Sequence, residues 1–139
     1  MRASNKSTHV ATLLQSAGLR STRQRLALGA LLFDGMDKHV TAEQVFDAAH
    51  KARSRVSLAT VYNTLHQFTE AGLLREVVID STQVYFDTNT TDHHHFFNES
   101  AGQLTDVPAA SVHVDRLPKM PAGLRLDRVD VIIRVKNKH

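Results

Sequence analysis

The sequence predicts an α+β fold: a helical first half closed by a β-hairpin, then a short link and a small sheet. Apolar residues repeat at helical spacing as far as Gly72 and alternate at strand spacing from Leu73 onward. Ser, Thr and Gly punctuation cuts the first part into four helices with short connections. Pro108, Pro118 and Pro121 argue against a long helix between residues 108 and 121.

"VATLLQSAGL" reads as a first helix closed by Gly18 as a left-handed cap. "STRQRLALGALLF" opens on Ser21 with Gln24 three residues on, the spacing of a capping box, and ends at Asp34-Gly35. "TAEQVFDAAHKA" repeats that spacing with Thr41 and Gln44, and "SLATVYNTLHQFTEAG" starts at Ser57 and stops at Gly72. "LLREVVIDSTQVYFDT" then gives two alternating strands joined at Asp80, Ser81 and Thr82. "NTTD", residues 89–92, reads as a hinge between a part spanning 1–88 and a part spanning 93–139. In the latter, "HHHFFN", "QLTDV" and "RVDVIIRVK" supply the second sheet.

With 139 residues and 42% hydrophobic content, the chain suffices for one ordinary domain or two small ones. No apolar run approaches the roughly 20 residues needed to span a bilayer. The opening "MRASNKSTHVATLLQ" lacks the apolar core of a secretory signal, so a cytoplasmic protein without membrane partners is expected. The absence of cysteine excludes disulfides, Cys-ligated zinc, iron–sulfur clusters and thiolate-ligated haem. Any metal must therefore be held by His, Asp and Glu, and nine histidines are available. The net charge of +3 is uneven: residues 1–75 carry 10 basic and 5 acidic side chains, residues 76–139 carry 7 and 9. A basic N-terminal half points to a polyanion, most simply nucleic acid.

The fourth helix places Leu58, Val61, Leu65 and Phe68 on one stripe. Its other side carries Ala59, Thr60, Asn63, His66 and Gln67, with Tyr62 on the flank and no acid. Small side chains and amides without a carboxylate suit the major groove, where Asn and Gln pair with adenine. Arg20, Arg23 and Arg25 cluster at the start of the second helix, where phosphates or a minor groove would meet them. Helix, helix, hairpin in this order is the winged-helix arrangement of a DNA-binding domain.

"TTDHHHFF", residues 90–97, is the other concentration of chemistry. Phe96 and Phe97 favour a strand, in which His93 and His95 share one face about 7 Å apart and His94 points to the other. A four-residue "ESAG" turn would pair Asn98 with Gln103, Phe97 with Leu104, Phe96 with Thr105 and His95 with Asp106. That register brings Asp106 to the face of His93 and His95, a His, His, Asp constellation able to take one ion.

"HVTAEQVFDAA", "SLATVYNTLHQFTEAGLL", "VYFD" and the histidine cluster, in that order and spacing, resemble the ferric uptake regulator (Fur) family over residues from about 13 to 107. Within the family, "TRQRLALGALLF" and "DHHHFF" resemble the iron response regulator (Irr) branch. The resemblance implies a winged-helix DNA-binding domain followed by a small α/β dimerisation domain, acting as a homodimer on palindromic operator DNA. It implies base and minor-groove contact for Tyr62 and Arg20, and a regulatory divalent metal (Fe, Mn or Zn) on His39, Asp87, His93, His95 and Asp106. For the Irr branch it implies haem at His93, His94 and His95, with repression of haem synthesis and iron-consuming genes when iron is scarce and release from DNA by haem. The family's paired C-x-x-C zinc motifs are missing, Asn63 stands where many members have a basic residue, and His113 and Val129 do not match a second family metal site. A manganese- or peroxide-sensing regulator of the same superfamily would use the same five ligands. A metal-dependent hydrolase built on His93, His95 and Asp106 is the alternative of another class, but no H-E-x-x-H base motif accompanies it. A regulator, not an enzyme, is expected.

Overall fold

The structure, a computed structural model, describes residues 2–139, with side chains described from His9 onward. It divides into two compact units, Met1–Thr90 and Thr91–His139.

The first unit holds four helices, α1 (Arg2–Ser16), α2 (Arg23–Leu32), α3 (Ala42–Lys51) and α4 (Leu58–Glu70). Its sheet is built from β1 (His39–Val40), β2 (Arg75–Asp80) and β3 (Gln83–Asp87), antiparallel in the order β1-β3-β2. Helix α1 begins eight residues before the Val10 at which the apolar pattern starts. The α3 capping box forms as its sequence predicts: Thr41 accepts from the Gln44 N–H and the Gln44 side chain accepts from the Thr41 N–H. The box expected at Ser21 and Gln24 does not form. Thr22 is the cap instead, accepting from the Arg25 N–H at 3.3 Å, so α2 starts one residue later and position N3 holds an arginine.

The core of this unit joins Val10 and Leu14 of α1, Leu28 and Leu32 of α2, Val45 and Ala49 of α3, and Val61, Leu65 and Phe68 of α4 with Leu74 and Phe86. Gly29 is what lets α1 approach α2. A Cβ there would lie 2.5 Å from Cγ1 of Val10, a β-branched side chain with one preferred helical rotamer. Gly29→Ala is expected to lower stability by about 1–3 kcal/mol through overpacking, although alanine is the better helix former. A urea midpoint equal to or above that of the wild type would show that this contact yields.

The second unit is a sheet of β4 (His93–Asn98), β5 (Gln103–Pro108) and β6 (Ile132–Val135) in the order β5-β4-β6. β4 and β5 are antiparallel with His95 opposite Asp106, the register that the four-residue turn predicts. The turn is specified locally. The Asn98 carboxamide oxygen accepts from the N–H groups of Ser100 and Ala101, Gly102 takes φ +64°, and its N–H donates to the Asn98 carbonyl at 2.8 Å. β6 runs parallel to β4, which alternation alone did not indicate. Between β5 and β6 only a 3₁₀ turn at Ala109–Ser111 is regular. Among the described residues no helix is long and apolar enough to cross a membrane.

Candidate functional site

Three groups of side chains stand where the sequence concentrates its chemistry: the outer face of α4, the His39–Asp87 pair of the first sheet, and the histidines and Asp106 of the second.

Helix α4 is capped by Ser57, which accepts from the Thr60 N–H at 3.0 Å, and buries Val61, Thr64, Leu65 and Phe68. Leu58, expected on that stripe, is instead 36% exposed. At about 100° per residue it lies at the margin of a stripe centred on Val61 and Phe68, and Thr64 fills the opposite margin. Ala59, Tyr62, Asn63, His66 and Gln67 are exposed and Thr60 is half-buried.

Arg25 is engaged within this face. Its Nε and Nη2 donate to Oε1 of Gln67 at 3.2 and 3.1 Å, and its Nη1 donates to the Arg20 carbonyl at 3.0 Å. A guanidinium has only donors, so chemistry fixes which end of the Gln67 amide meets it. Gln67 therefore turns its NH2 outward, and the two-point pairing with adenine, which needs both ends of the amide, is closed to it. Tyr62 donates its hydroxyl to Oε1 of Glu43 on α3 at 2.6 Å, and that bond, followed by desolvation and the Glu43 charge, raises the phenol pKa. The Tyr62 ring stacks on His66 at 6.5 Å, and His66 sets its edge to Phe86 at 5.7 Å, one residue from Asp87. Sequence reasoning missed Glu43 because its partner lies on another helix. Arg20 and Arg23 are exposed at the start of α2.

In the first sheet, Asp87 on the central strand stands opposite His39 on one side and Arg75 on the other. Its carboxylate is fully buried. Oδ1 accepts from the Asn89 N–H at 2.9 Å and Oδ2 lies 3.2 Å from Nε2 of His39.

In the second sheet, strand alternation separates the three histidines as expected. His93 and His95 are buried at 5% and 1% exposure with ring centroids 4.6 Å apart, and both turn Nε2 to the same Asp106 oxygen, at 3.3 and 3.4 Å. Nδ1 of His93 lies 2.6 Å from the Thr91 carbonyl, an acceptor only, so Nδ1 carries a proton and Nε2 is the ring nitrogen through which His93 could ligate an ion. An imidazole donating Nδ1–H to a backbone carbonyl is the outer support that orients a metal-ligating histidine. The ligating atoms of His93, His95 and Asp106 lie within 4.8 Å of one another. Donors at about 2.1 Å from an ion are spaced about 3.0–3.4 Å along the edges of its octahedron or tetrahedron. The trio therefore fits a divalent ion in donor type and spacing, and the His39–Asp87 pair fits as a second set of the same kind. His94 lies on the other face, half-buried, with Nδ1 accepting the Val131 N–H at 3.1 Å, which leaves the proton on its Nε2.

The profile of the ferric uptake regulator family matches residues 16–131. The chain belongs to that family. Among curated Fur relatives, the peroxide operon regulator of Bacillus subtilis is 37% identical over 93 residues, which cover 67% of this chain and 63% of that protein. The peroxide-responsive repressor PerR of Staphylococcus epidermidis is 33% identical over 93 residues, covering 67% and 61%. The matched segment thus spans somewhat under two thirds of these relatives' own length. Among solved structures, the Fur of Pseudomonas aeruginosa with manganese superposes with a TM-score of 0.71 at 26% identity, covering 94% of this chain and 98% of that one. The Vibrio cholerae Fur, at 22% identity and a TM-score of 0.70, shares the fold. The α+β architecture is thus that of Fur proteins, whose members are transcription regulators and not enzymes.

Proposed function

We propose that this protein is a dimeric, metal-responsive transcription regulator of the peroxide- or manganese-sensing kind. The observation that carries the metal reading is the pair of Nε2 atoms turned onto one Asp106 oxygen, with His93 oriented from behind by Thr91. In this reading His93, His95 and Asp106 of residues 93–139 and His39 and Asp87 of residues 1–88 hold one divalent ion of the Fe, Mn or Zn class, so that occupancy acts on the 89–92 joint between them. Relatives named as a peroxide-responsive repressor and a peroxide operon regulator support this branch over the haem-sensing one. The site chemistry agrees for His94, which presents a protonated Nε2 that cannot serve as an axial haem ligand in that tautomer.

The exposed face of α4 is the proposed reader of operator DNA, with Tyr62, Asn63 and Gln67 over the bases and Ala59 and Thr60 allowing close approach. Residues 112–131 carry Val114, Leu117, Leu124 and Leu126 exposed, apolar surface suited to a second copy of the chain. Gln67→Glu keeps the acceptor for Arg25 but removes the outward N–H donors. It is expected to weaken operator binding by roughly 10- to 100-fold, measured by fluorescence anisotropy; unchanged affinity would remove Gln67 from the reading set. The function as a whole is tested by recovering and sequencing genomic DNA fragments bound with and without Mn(II). A discrete set enriched only with the metal supports the proposal, whereas no enrichment in either condition overturns it.

A further inference from the structure

Three of the four helices end in the same way. After α1, the N–H of Leu19 donates to the Leu14 carbonyl across Gly18, and after α4 the N–H of Leu73 donates to Phe68 across Gly72. After α3, the N–H of Ser54 donates to Ala49 at 2.8 Å and that of Arg53 to His50 at 3.0 Å. Each is a Schellman closure that needs one residue in the left-handed region. Gly18 and Gly72 take it at φ +78° and +81°, but after α3 it is taken by Arg53 at φ +59°, where a Cβ crowds the backbone. The chain thus carries a strained arginine where a glycine would close the helix more easily.

The strain sets that side chain beside others of its kind. Arg23, Arg53 and Arg55, with Gln24 and Ser54, line one surface cavity of about 450 Å3, and no carboxylate of the described residues lines it. Among the described residues none of the three guanidinium groups has an acidic partner. Arg23 and Gln24 are also the first two residues of α2, whose cap Thr22 satisfies only the third N–H, so two backbone donors at the positive end of the helix remain beside the cavity. Three like charges and a helix N-terminus facing one space favour an anion, and the planar guanidinium fork matches phosphate oxygens.

We propose that Arg23, Arg53 and Arg55 form a phosphate site that takes one backbone phosphate of bound DNA. This rests on the DNA-binding reading above and adds Arg53 and Arg55 to the surface that grips the duplex. The site contributes affinity without sequence information, because every duplex presents the same phosphate.

The test measures binding of a short labelled DNA duplex in the presence of saturating Mn(II) over a range of salt concentrations, for the wild type, Arg53→Gly, Arg55→Ala and the double variant. Each single variant is expected to flatten the plot of log affinity against log salt by about 0.9, the value of one neutralised phosphate, and the double variant by no more than that. Arg53→Gly should at the same time melt a few degrees higher, because glycine relieves the left-handed position. A fall in DNA affinity in a more stable protein separates the role of the side chain from the fold. Slopes unchanged in both single variants, with the wild type binding duplex, would overturn the phosphate site and leave the regulator reading standing. If the wild type does not bind duplex, the regulator reading fails and titration with inorganic phosphate decides. Thermal stabilisation of the wild type but not of Arg55→Ala would assign the site to free phosphate, and no stabilisation of the wild type would overturn it.

Discussion

His95→Ala is expected to lower Mn(II) affinity by at least about 100-fold, since removal of groups that merely support a ligand already costs 10- to 100-fold. His95 is 1% exposed and its Nε2 faces Asp106, so no solvent-exposed conformation offers the ion a substitute donor. His94→Ala is the matched control. It removes an adjacent imidazole whose Nδ1 is bound to the Val131 N–H on the opposite face, and Mn(II) affinity should stay within a few-fold of the wild type. Isothermal titration calorimetry reads both variants. Equal losses in the two would mean that the strand faces do not divide the histidines by role, and an unaffected His95→Ala would remove it from the ligand set.

Phe68→Ala is the second large effect. The ring is fully buried in the helical core, 5.6 Å from the ring of Phe33, on the inner side of the helix whose outer side carries Tyr62, Asn63 and Gln67. Its loss is expected to cost about 3–5 kcal/mol, a large part of the 5–15 kcal/mol that stabilises a typical domain. Urea unfolding followed by circular dichroism measures it. A loss below about 1 kcal/mol would mean that the core refills the space, and the position of α4 would then rest on other contacts.

The parts of this molecule that were legible in its sequence are those specified by neighbours along the chain. The His95–Asp106 register follows from a turn whose Asn98 and Gly102 lie within it, so counting outward from the turn placed Asp106 correctly. The Thr41–Gln44 box and the Ser57 cap are equally local. Where two capping residues adjoin, as with Ser21 and Thr22, spacing cannot choose between them. β1 is two residues long, too short for any periodicity, and exists because His39 and Val40 pair with Asp87 and Phe86 nearly fifty positions away. The brace between Arg25 and Gln67 spans 42 positions, so the sequence offered Gln67 as a reader of adenine while the fold leaves it only donors. The Nδ1 atoms of His93 and His94 are held by Thr91 and Val131 backbone groups that no pattern of side chains reveals.

In the proposed function, metal at the histidines and acids controls DNA binding. It is tested most directly by the affinity for a recovered genomic fragment as Mn(II) is raised, for the wild type and for Asp106→Asn. Asparagine keeps the size of the side chain but removes the charge that faces both Nε2 atoms. A steep rise of DNA affinity with Mn(II) is expected in the wild type and, in Asp106→Asn, either no rise or one displaced to at least about 100-fold higher metal. Wild-type affinity that is the same with and without the metal would contradict it.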